Sequence, residues 1–210
     1  MLKINKLQQG VTLIESMVAI VVMALGILGV LGIQLRTLAD TQTGVRRAQA
    51  IRLIEDLSER IKVNPNGLGS MGAYVSGWNA TLPTIAVDCR TAVCDSANLA
   101  NFDRNLWVTN VRSAMPLGDA NIFLAADDTD PNNRRQLGVM ISWRENERDR
   151  RSADGTADTA YTAGIATAST GTANVSCPAG RTCHLQYIQP TARCTPYVNS
   201  GAAIPQLFCP

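Results

Sequence analysis

Aromatic residues, histidine and net charge are all scarce in this chain of 210 residues. Phe, Trp and Tyr together make up 5% of it, and there is one histidine. The formal net charge is +2, and without Lys3 and Lys6 there remain 17 basic residues against 17 acidic ones. A chain with balanced charge has no electrostatic attraction for a polyanion, so we expect no nucleic acid among its partners.

Catalytic motifs are lacking too. Residues 67–72 spell G-x-G-x-x-G, but they follow a predicted helix rather than a strand and no clear helix opens after them, which argues against a dinucleotide loop. No G-x-S-x-G sequence occurs, and the single histidine has no assignable triad partners. The acidic residues are dispersed, with no pair that can be placed in a cleft. We therefore expect no enzymatic activity and no cofactor.

Charge is also absent from one long N-terminal stretch. After Glu15 no charged residue occurs before Arg36, which leaves twenty uncharged residues. At about 1.5 Å rise per residue they form a helix of about 30 Å, enough to cross the hydrocarbon core of a bilayer. The lysines that precede the stretch favour a cytoplasmic N-terminus. We expect residues 11–35 to cross the inner membrane once, with the C-terminal domain in the periplasm.

The first ten residues do not fit an ordinary secretory signal. Such a signal carries its small-residue cleavage site after the apolar region, whereas here Gly10 precedes it. Cleavage after Gly10 would remove a basic leader, residues 1–10, and leave the apolar stretch on the mature protein. A plain signal anchor is the alternative, but it gives no role to Glu15. A carboxylate near the end of a membrane helix costs free energy, so Glu15 is a functional candidate that needs a partner.

The sequence KLQQG followed by VTLIESMVAI resembles the leader and the first mature residues of type IV prepilins. The resemblance implies that a membrane prepilin peptidase cleaves after Gly10 and methylates the new N-terminus at Val11. It also implies that Glu15 pairs with the terminal amine of a neighbouring subunit, which supplies the cation that a buried carboxylate needs. Major pilins usually carry phenylalanine where this chain has Val11, which favours a minor component.

Helical character continues beyond the apolar stretch. Residues 36–63 contain no proline, and apolar residues recur there at spacings of three and four. Arg52–Asp56 and Asp56–Arg60 have the spacing of ion pairs on the polar side. Asn64 and Pro65 then end the pattern. We predict one helix over residues 12–63, whose amphipathic second half packs on a globular domain, residues 64–210. The apolar positions of that half are Ile51, Ile54, Leu57 and Ile61.

Three glycines interrupt the membrane half at three-residue steps: Gly26, Gly29 and Gly32. One interpretation is close packing of small residues against another helix. The other is local softening of the helix, since each glycine weakens a helix by about 1 kcal/mol relative to alanine. Because related fibres melt part of this helix on assembly, we predict that Gly26–Gly32 is the deformable stretch.

The remainder of the chain predicts a small antiparallel sheet packed on the long helix, an α+β fold with the ladle shape of pilins. Asp95 or Ser96 can cap a short helix that ends at Met115-Pro116. Strands are predicted over residues 120–126, 137–145 and 184–189, and a mobile loop over residues 155–174. The helix is expected to pack through Leu99, Phe102, Leu106 and Val111. The predicted core tryptophans are Trp78, Trp107 and Trp143.

Six cysteines follow the apolar stretch, an even number that indicates an oxidising compartment and disulfide-stapled loops. The connectivity is open from sequence, and short loops favour local pairs. A metal site that combines two cysteines with His184 is the alternative, but its cysteine spacing and the Cys183-His184 adjacency are unusual for tetrahedral zinc. We therefore expect no metal. The favoured pairs are Cys89–Cys94, Cys177–Cys183 and Cys194–Cys209.

The order of these parts resembles the PilV-type minor pilins, most closely over residues 8–65. The stretch RRAQAIRLIEDLSERIKVNP, the V-M-I-S-W-R-E strand and the late Y-I-Q-P carry this resemblance. It implies a subunit that joins other minor pilins and the major pilin in a tip complex, which primes pilus assembly and can present an adhesin. A type II secretion pseudopilin is the closest alternative. A membrane-anchored periplasmic enzyme or binding module is a third, and it would function without cleavage and tolerate loss of Glu15.

Overall fold

The computed structural model describes residues 12–84, 87–126, 128, 134–145, 165–169, 172–191, 195–197 and 206–208. The chain divides into two compact units, Met1–Gly44 and Val45–Pro210. Its fold is α+β, with a long N-terminal helix and a small antiparallel sheet, as predicted. The helices are α1 (Leu13–Val63), a 3₁₀ turn (Met71–Tyr74) and α2 (Ser96–Ala114). The strands are β1 (Asp119–Leu124), β2 (Leu137–Trp143), β3 (Ala166–Ser169), β4 (Thr172–Ser176), β5 (Thr182–Ile188), β6 (Thr195–Tyr197) and β7 (Gln206–Phe208).

The predicted helix is confirmed, since α1 starts at Leu13, one residue later than predicted, and ends at Val63 as predicted. The carbonyl oxygen of Thr12 accepts from the N–H groups of Glu15 and Ser16, which opens the first turn. The helix ends at Val63 because Pro65 follows Asn64, and the residue before a proline is disfavoured in helical geometry.

The second half of α1 packs into the core through a face that differs by one position from the predicted one. Ile54, Leu57 and Ile61 are buried as expected. Ile51 is only half-buried, and Leu53 takes its place with 8% exposure. Helix α2 is the reason, because it lies against the side of α1 that carries Leu53. There the indole N–H of Trp107 donates a hydrogen bond to the main-chain carbonyl of Leu53. The apolar stripe of α1 is therefore rotated toward α2.

Helix α2 starts at its predicted cap and runs antiparallel to α1. The Asp95 carboxylate accepts from the N–H of Asn98 at 2.7 Å, which satisfies a free donor of the first turn. At its start, the side chain of Asn64 donates to the carbonyl of Ser96 at 2.9 Å. At its other end, the side chain of Gln49 donates to the carbonyl of Ala114 at 3.1 Å. The end of α1 thus meets the start of α2, and an earlier part of α1 meets the end of α2, as in an antiparallel pair.

The predicted packing face of α2 is partly wrong. Phe102 and Val111 are buried as expected, but Leu106 is 38% exposed. Trp107 and Val108 are fully buried in its place, because the face toward α1 is shifted by one residue. The prediction that Trp107 lies in the core is confirmed.

Strands β1, β2 and β5 form one antiparallel sheet in the order β1-β2-β5. Val139 pairs with Ile122 on one side, and Ile141 pairs with His184 on the other. Every residue of the central strand β2 is buried, so both faces of the sheet are covered. Its alternating residues, including Trp143, join the main core as predicted, while Met140 belongs to a second, smaller cluster on the opposite face.

Two predictions are corrected in this region. Part of the predicted mobile loop is an antiparallel hairpin of β3 and β4, while residues 155–164 lie outside the described part. Its Ala and Thr residues lack the hydrophobic alternation that marks a strand. Trp78 lies against the smaller cluster rather than in the main core, half-buried, and its indole N–H donates to the carbonyl of Ser176 at 3.0 Å.

Two of the three predicted disulfides are present in the structure. Cys89 is bonded to Cys94 and Cys177 to Cys183, each pair closing a short loop. The second bond occupies both sulfurs that the alternative metal site would need. Among the described residues, no group of three His, Cys, Asp or Glu side chains could hold a metal ion. The predicted pair Cys194–Cys209 lies outside the described residues.

Candidate functional site

The part of α1 in the first unit exposes a continuous apolar surface. Its large aliphatic side chains, from Leu13 to Leu38, are between 47% and 79% exposed. A segment of mean hydropathy 2.6 in this helix is entirely unburied, and by length and composition it can cross a membrane. An exposed apolar surface of this extent marks a site of contact with lipid or with another protein. The surface is therefore the candidate functional site.

Glu15 is the single charged residue between Thr12 and Leu35. It lies in the first turn of α1 and is exposed. The free N–H groups of a helix start favour a nearby carboxylate. None of the ion pairs within the described part of the chain involves Glu15. If this turn is surrounded by apolar groups, its counterion has to come from another molecule or from the residues before Thr12.

The three glycines of this surface leave open space in the isolated chain. A Cβ atom added at Gly26, Gly29 or Gly32 would meet no other atom within 4 Å. Gly26 lies in a shallow apolar groove on the helix, lined by Met23, Gly26, Ile27, Val30, Leu31 and Gln34. Packing within the monomer therefore gives no reason for glycine at these positions. Both earlier interpretations, approach of another helix and a softer helix, place the reason in an assembly.

The predicted cleavage and methylation positions, Gly10 and Val11, lie outside the described residues. The structure thus brings none of the predicted site residues together into a pocket. Glu15 and the three glycines lie along one helix, and the disulfides belong to the second unit. Along α1, the described site residues therefore belong to one exposed apolar surface.

A buried polar cluster at the end of α1 was not predicted. Asn64 is 2% exposed, and its amide nitrogen donates to the hydroxyl of Tyr74 at 3.1 Å. Its amide oxygen accepts from the hydroxyl of Ser96 at 2.6 Å. Burial raises the pKa of Tyr74 to about 12. The cluster fixes the end of α1 to the start of α2, and the Asn-Pro signal in the sequence indicated only that the helix stops.

One ion-pair network of the second unit joins α1 to α2. Arg60 binds the carboxylate of Asp56 at 2.9 Å, as predicted, and reaches Asp103 of α2 at 3.4 Å. The other predicted pair, between Arg52 and Asp56, is not among the ion pairs of the described residues. Burial lowers the pKa of Arg104, which donates to the carbonyl of Ala73 at 2.7 Å.

Two family models match adjacent parts of the chain. The prokaryotic N-terminal methylation motif matches residues 5–31, which include Gly10, Val11 and Glu15. The Tt1218-like family, described as type IV pilin Tt1218, matches residues 32–105, which include the rest of α1 and the first half of α2. No curated protein and no solved structure matches the chain. Together the two matches cover all of α1 and the chain that follows it as far as the first half of α2.

Proposed function

The chain is a type IV pilin-like prepilin, and on that premise we propose that it is a minor pilin of a type IV pilus. In this role the chain first resides in the inner membrane as a single-pass protein and then enters the fibre. Its fold, a long helix followed by a small antiparallel sheet, is pilin-like. The match to a pilin family points to a structural protein rather than an enzyme.

The proposal includes processing at the N-terminus. A prepilin peptidase cleaves after Gly10 and methylates Val11, and the match of the methylation motif over residues 5–31 supports this step. Cleavage removes the charged leader and creates an amine directly before the apolar helix. That amine is the group that Glu15 of another subunit can bind.

A single observation carries the proposal: an exposed apolar helix surface that includes one carboxylate, Glu15, in its first turn. In a bilayer this surface contacts lipid, and in a fibre it contacts the same surface of other subunits. A carboxylate without a counterion is costly in an apolar medium, so it favours the arrangement in which a cation is present. The terminal amine of a neighbour provides that cation and sets the axial position at which the subunit is added.

The finer assignment, to a tip complex, has narrower support. Valine rather than phenylalanine at position 11 favours a minor component, and the sequence resembles PilV-type minor pilins over residues 8–65. The partners implied are other minor pilins, the major pilin and an adhesin at the tip. In this role the subunit primes assembly of fibres that serve motility and adhesion.

The experiment compares Glu15→Ala with Ser16→Ala in cells that assemble fibres. Ser16 is a matched control because it lies in the same turn and its hydroxyl only approaches the carbonyl of Thr12 at 3.5 Å. We expect Glu15→Ala to be processed and membrane-bound with both described disulfides formed, yet missing from sheared fibres. Ser16→Ala should enter fibres at the wild-type level. Wild-type amounts of Glu15→Ala in fibres would contradict the proposal.

The same experiment separates the alternatives. A type II secretion pseudopilin would be processed, would stay in the membrane fraction and would be required for secretion. A membrane-anchored enzyme or binding module would keep its activity with an uncleaved leader and with Glu15→Ala. Immunoblots of sheared fibres, membranes and culture supernatant distinguish these outcomes.

A further inference from the structure

Four arginines and one leucine lie together at one end of the second unit. A guanidinium N–H of Arg46 donates to the carbonyl of Arg144 at 3.0 Å. The N–H of Arg144 donates to the carbonyl of Pro116 at 2.9 Å, and the guanidinium of Arg181 donates to the carbonyl of Leu117. Arg47 follows Arg46, and its charge acts on His184 of β5, the strand that Arg181 precedes. We call this group the basic end; its members are Arg46, Arg47, Arg144, Arg181 and Leu117.

None of the ion pairs within the described part of the chain involves an arginine of the basic end. The guanidinium groups of Arg46 and Arg181 donate to main-chain carbonyls, which carry no net charge. Two acidic residues of the described part lie next to its members in the chain, since Glu145 follows Arg144 and Asp119 follows Leu117 by two residues. Glu145 accepts from Trp143 and Thr182 at 3.3 and 3.2 Å, and Asp119 is buried against Arg112 at 3.0 Å. Asp119 is thus paired with Arg112, so among the described residues the four arginines of the basic end have only the carboxylate of Glu145 beside them in the chain.

Leu117 adds an apolar group to this charged surface. It is 60% exposed at the turn between α2 and β1, and its φ is 48°. Left-handed geometry is unfavourable for leucine, and asparagine or glycine would adopt it more easily. The turn itself therefore does not explain why a leucine stands there. An exposed leucine among arginines combines an apolar group with positive charge, and both strengthen binding to an anionic membrane surface.

The basic end also lies at the end of the second unit at which α1 enters it. Arg46 follows Leu35, at the end of the uncharged stretch, by eleven residues in the sequence. Helix α2 runs antiparallel to α1, so its C-terminal turn, with Leu117 just beyond, belongs to this same end.

We propose that the basic end binds the anionic phospholipid headgroups of the membrane that holds the chain before assembly, with Leu117 inserted among them. The inference rests on the proposed function, because it requires the apolar half of α1 to cross that membrane. Each basic side chain near an anionic surface strengthens binding about fivefold. The contact orients the second unit on the membrane and has to be released when the subunit enters a fibre.

The test uses the full chain in nanodiscs of phosphatidylcholine, with and without phosphatidylglycerol, followed by hydrogen exchange and mass spectrometry. Phosphatidylglycerol should slow exchange of the amides in residues 114–118, and high salt should reverse the effect because it screens exposed charges. Arg47→Gln and Leu117→Asn should each reduce the slowing, the first about fivefold. Asparagine tolerates the positive φ at position 117, so that variant preserves the turn.

Val93→Asn is the matched control. Val93 is 99% exposed and precedes α2, so it lies at the opposite end of the second unit, and its variant should exchange like the wild type. Equal exchange of residues 114–118 in both lipids would overturn the inference. This is also the result expected if the basic end binds an acidic neighbouring subunit instead of lipid. Amides of residues 16–35 should be protected in either lipid. If they exchange freely, the proposed function fails as well, and the two failures are thereby distinguished.

Discussion

The indole N–H of Trp107 donates a 2.6 Å hydrogen bond to the main-chain carbonyl of Leu53. Trp107 is the largest fully buried side chain of α2, and the carbonyl belongs to the middle of the α1 segment in the second unit. This contact fixes both the rotation and the axial position of α2 on α1. Within the second unit, α2 is thus held to α1 by a specific contact as well as by apolar burial.

Trp107→Phe should therefore destabilise the second unit by about 1–3 kcal/mol, because it removes this hydrogen bond and part of a buried ring. Denaturant unfolding of the full chain in detergent, followed by near-ultraviolet circular dichroism, measures the change. Leu106→Ala is the control on the same helix, since Leu106 is 38% exposed and should cost less than about 1 kcal/mol. If the two variants lose equal amounts of unfolding free energy, the Trp107 hydrogen bond is not a main contributor to the stability of the second unit.

The glycine stretch gives a prediction about assembly. Replacing Gly26, Gly29 and Gly32 together by alanine should stiffen the helix by about 3 kcal/mol in total and reduce incorporation into fibres. The added methyl groups meet no atom of the monomer within 4 Å, so a defect would not come from misfolding. Quantitative mass spectrometry of sheared fibres measures incorporation.

Gly44→Ala is the control for this experiment. Gly44 lies in the same helix with equally open surroundings, but outside the glycine stretch. It should leave incorporation unchanged. If the triple variant also enters fibres at the wild-type level, these glycines are needed neither for deformation nor for close packing.

His184 predicts how stability depends on pH. Burial, together with the nearby charge of Arg47, lowers its pKa below the ordinary value of 6.5. The unfolded chain then binds the proton more readily than the folded one, so stability falls as the pH drops below about 6.5 and levels off below the folded pKa. His184→Gln should lose this part of the pH dependence. Unfolding free energies of both proteins between pH 5 and pH 8, in the range where histidine titrates, provide the measurement.

The third disulfide is a prediction about residues outside the described part of the chain. Thr195 of β6 pairs with Phe208 of β7, and the same antiparallel register continued by one residue would place Cys194 opposite Cys209. The other four cysteines are already bonded to each other. Non-reducing digestion and mass spectrometry should recover a peptide that links Cys194 with Cys209. A peptide that links either of them to Cys89 or Cys177 would contradict the register.

Much of the fold was predictable because strong local signals determine it. The uncharged stretch and the Asn64-Pro65 sequence predicted the bounds of α1, and Asp95 predicted the start of α2. The three strands of the main sheet were predicted to within two residues, since apolar alternation and turn residues mark them. Cysteines five and six residues apart predicted the two described disulfides.

The remaining features depend on contacts between distant parts of the chain. Whether Ile51 or Leu53 faces the core depends on where α2 lies, which no local pattern contains. The hairpin of β3 and β4 is built from Ala and Thr residues that also suit a loop. The role of Glu15 depends on a second molecule, so it follows from the resemblance and not from the periodicity of this chain.

The most direct test of the account is mass spectrometry of sheared surface fibres and of membranes, with a search for peptides that begin at Val11. The account predicts a processed, methylated Val11 in the fibres, at a low ratio to the major pilin. Processed protein confined to the membranes would contradict the pilus assignment and favour a pseudopilin. An intact leader, with residues 1–10 still attached in every fraction, would contradict the prepilin identity itself.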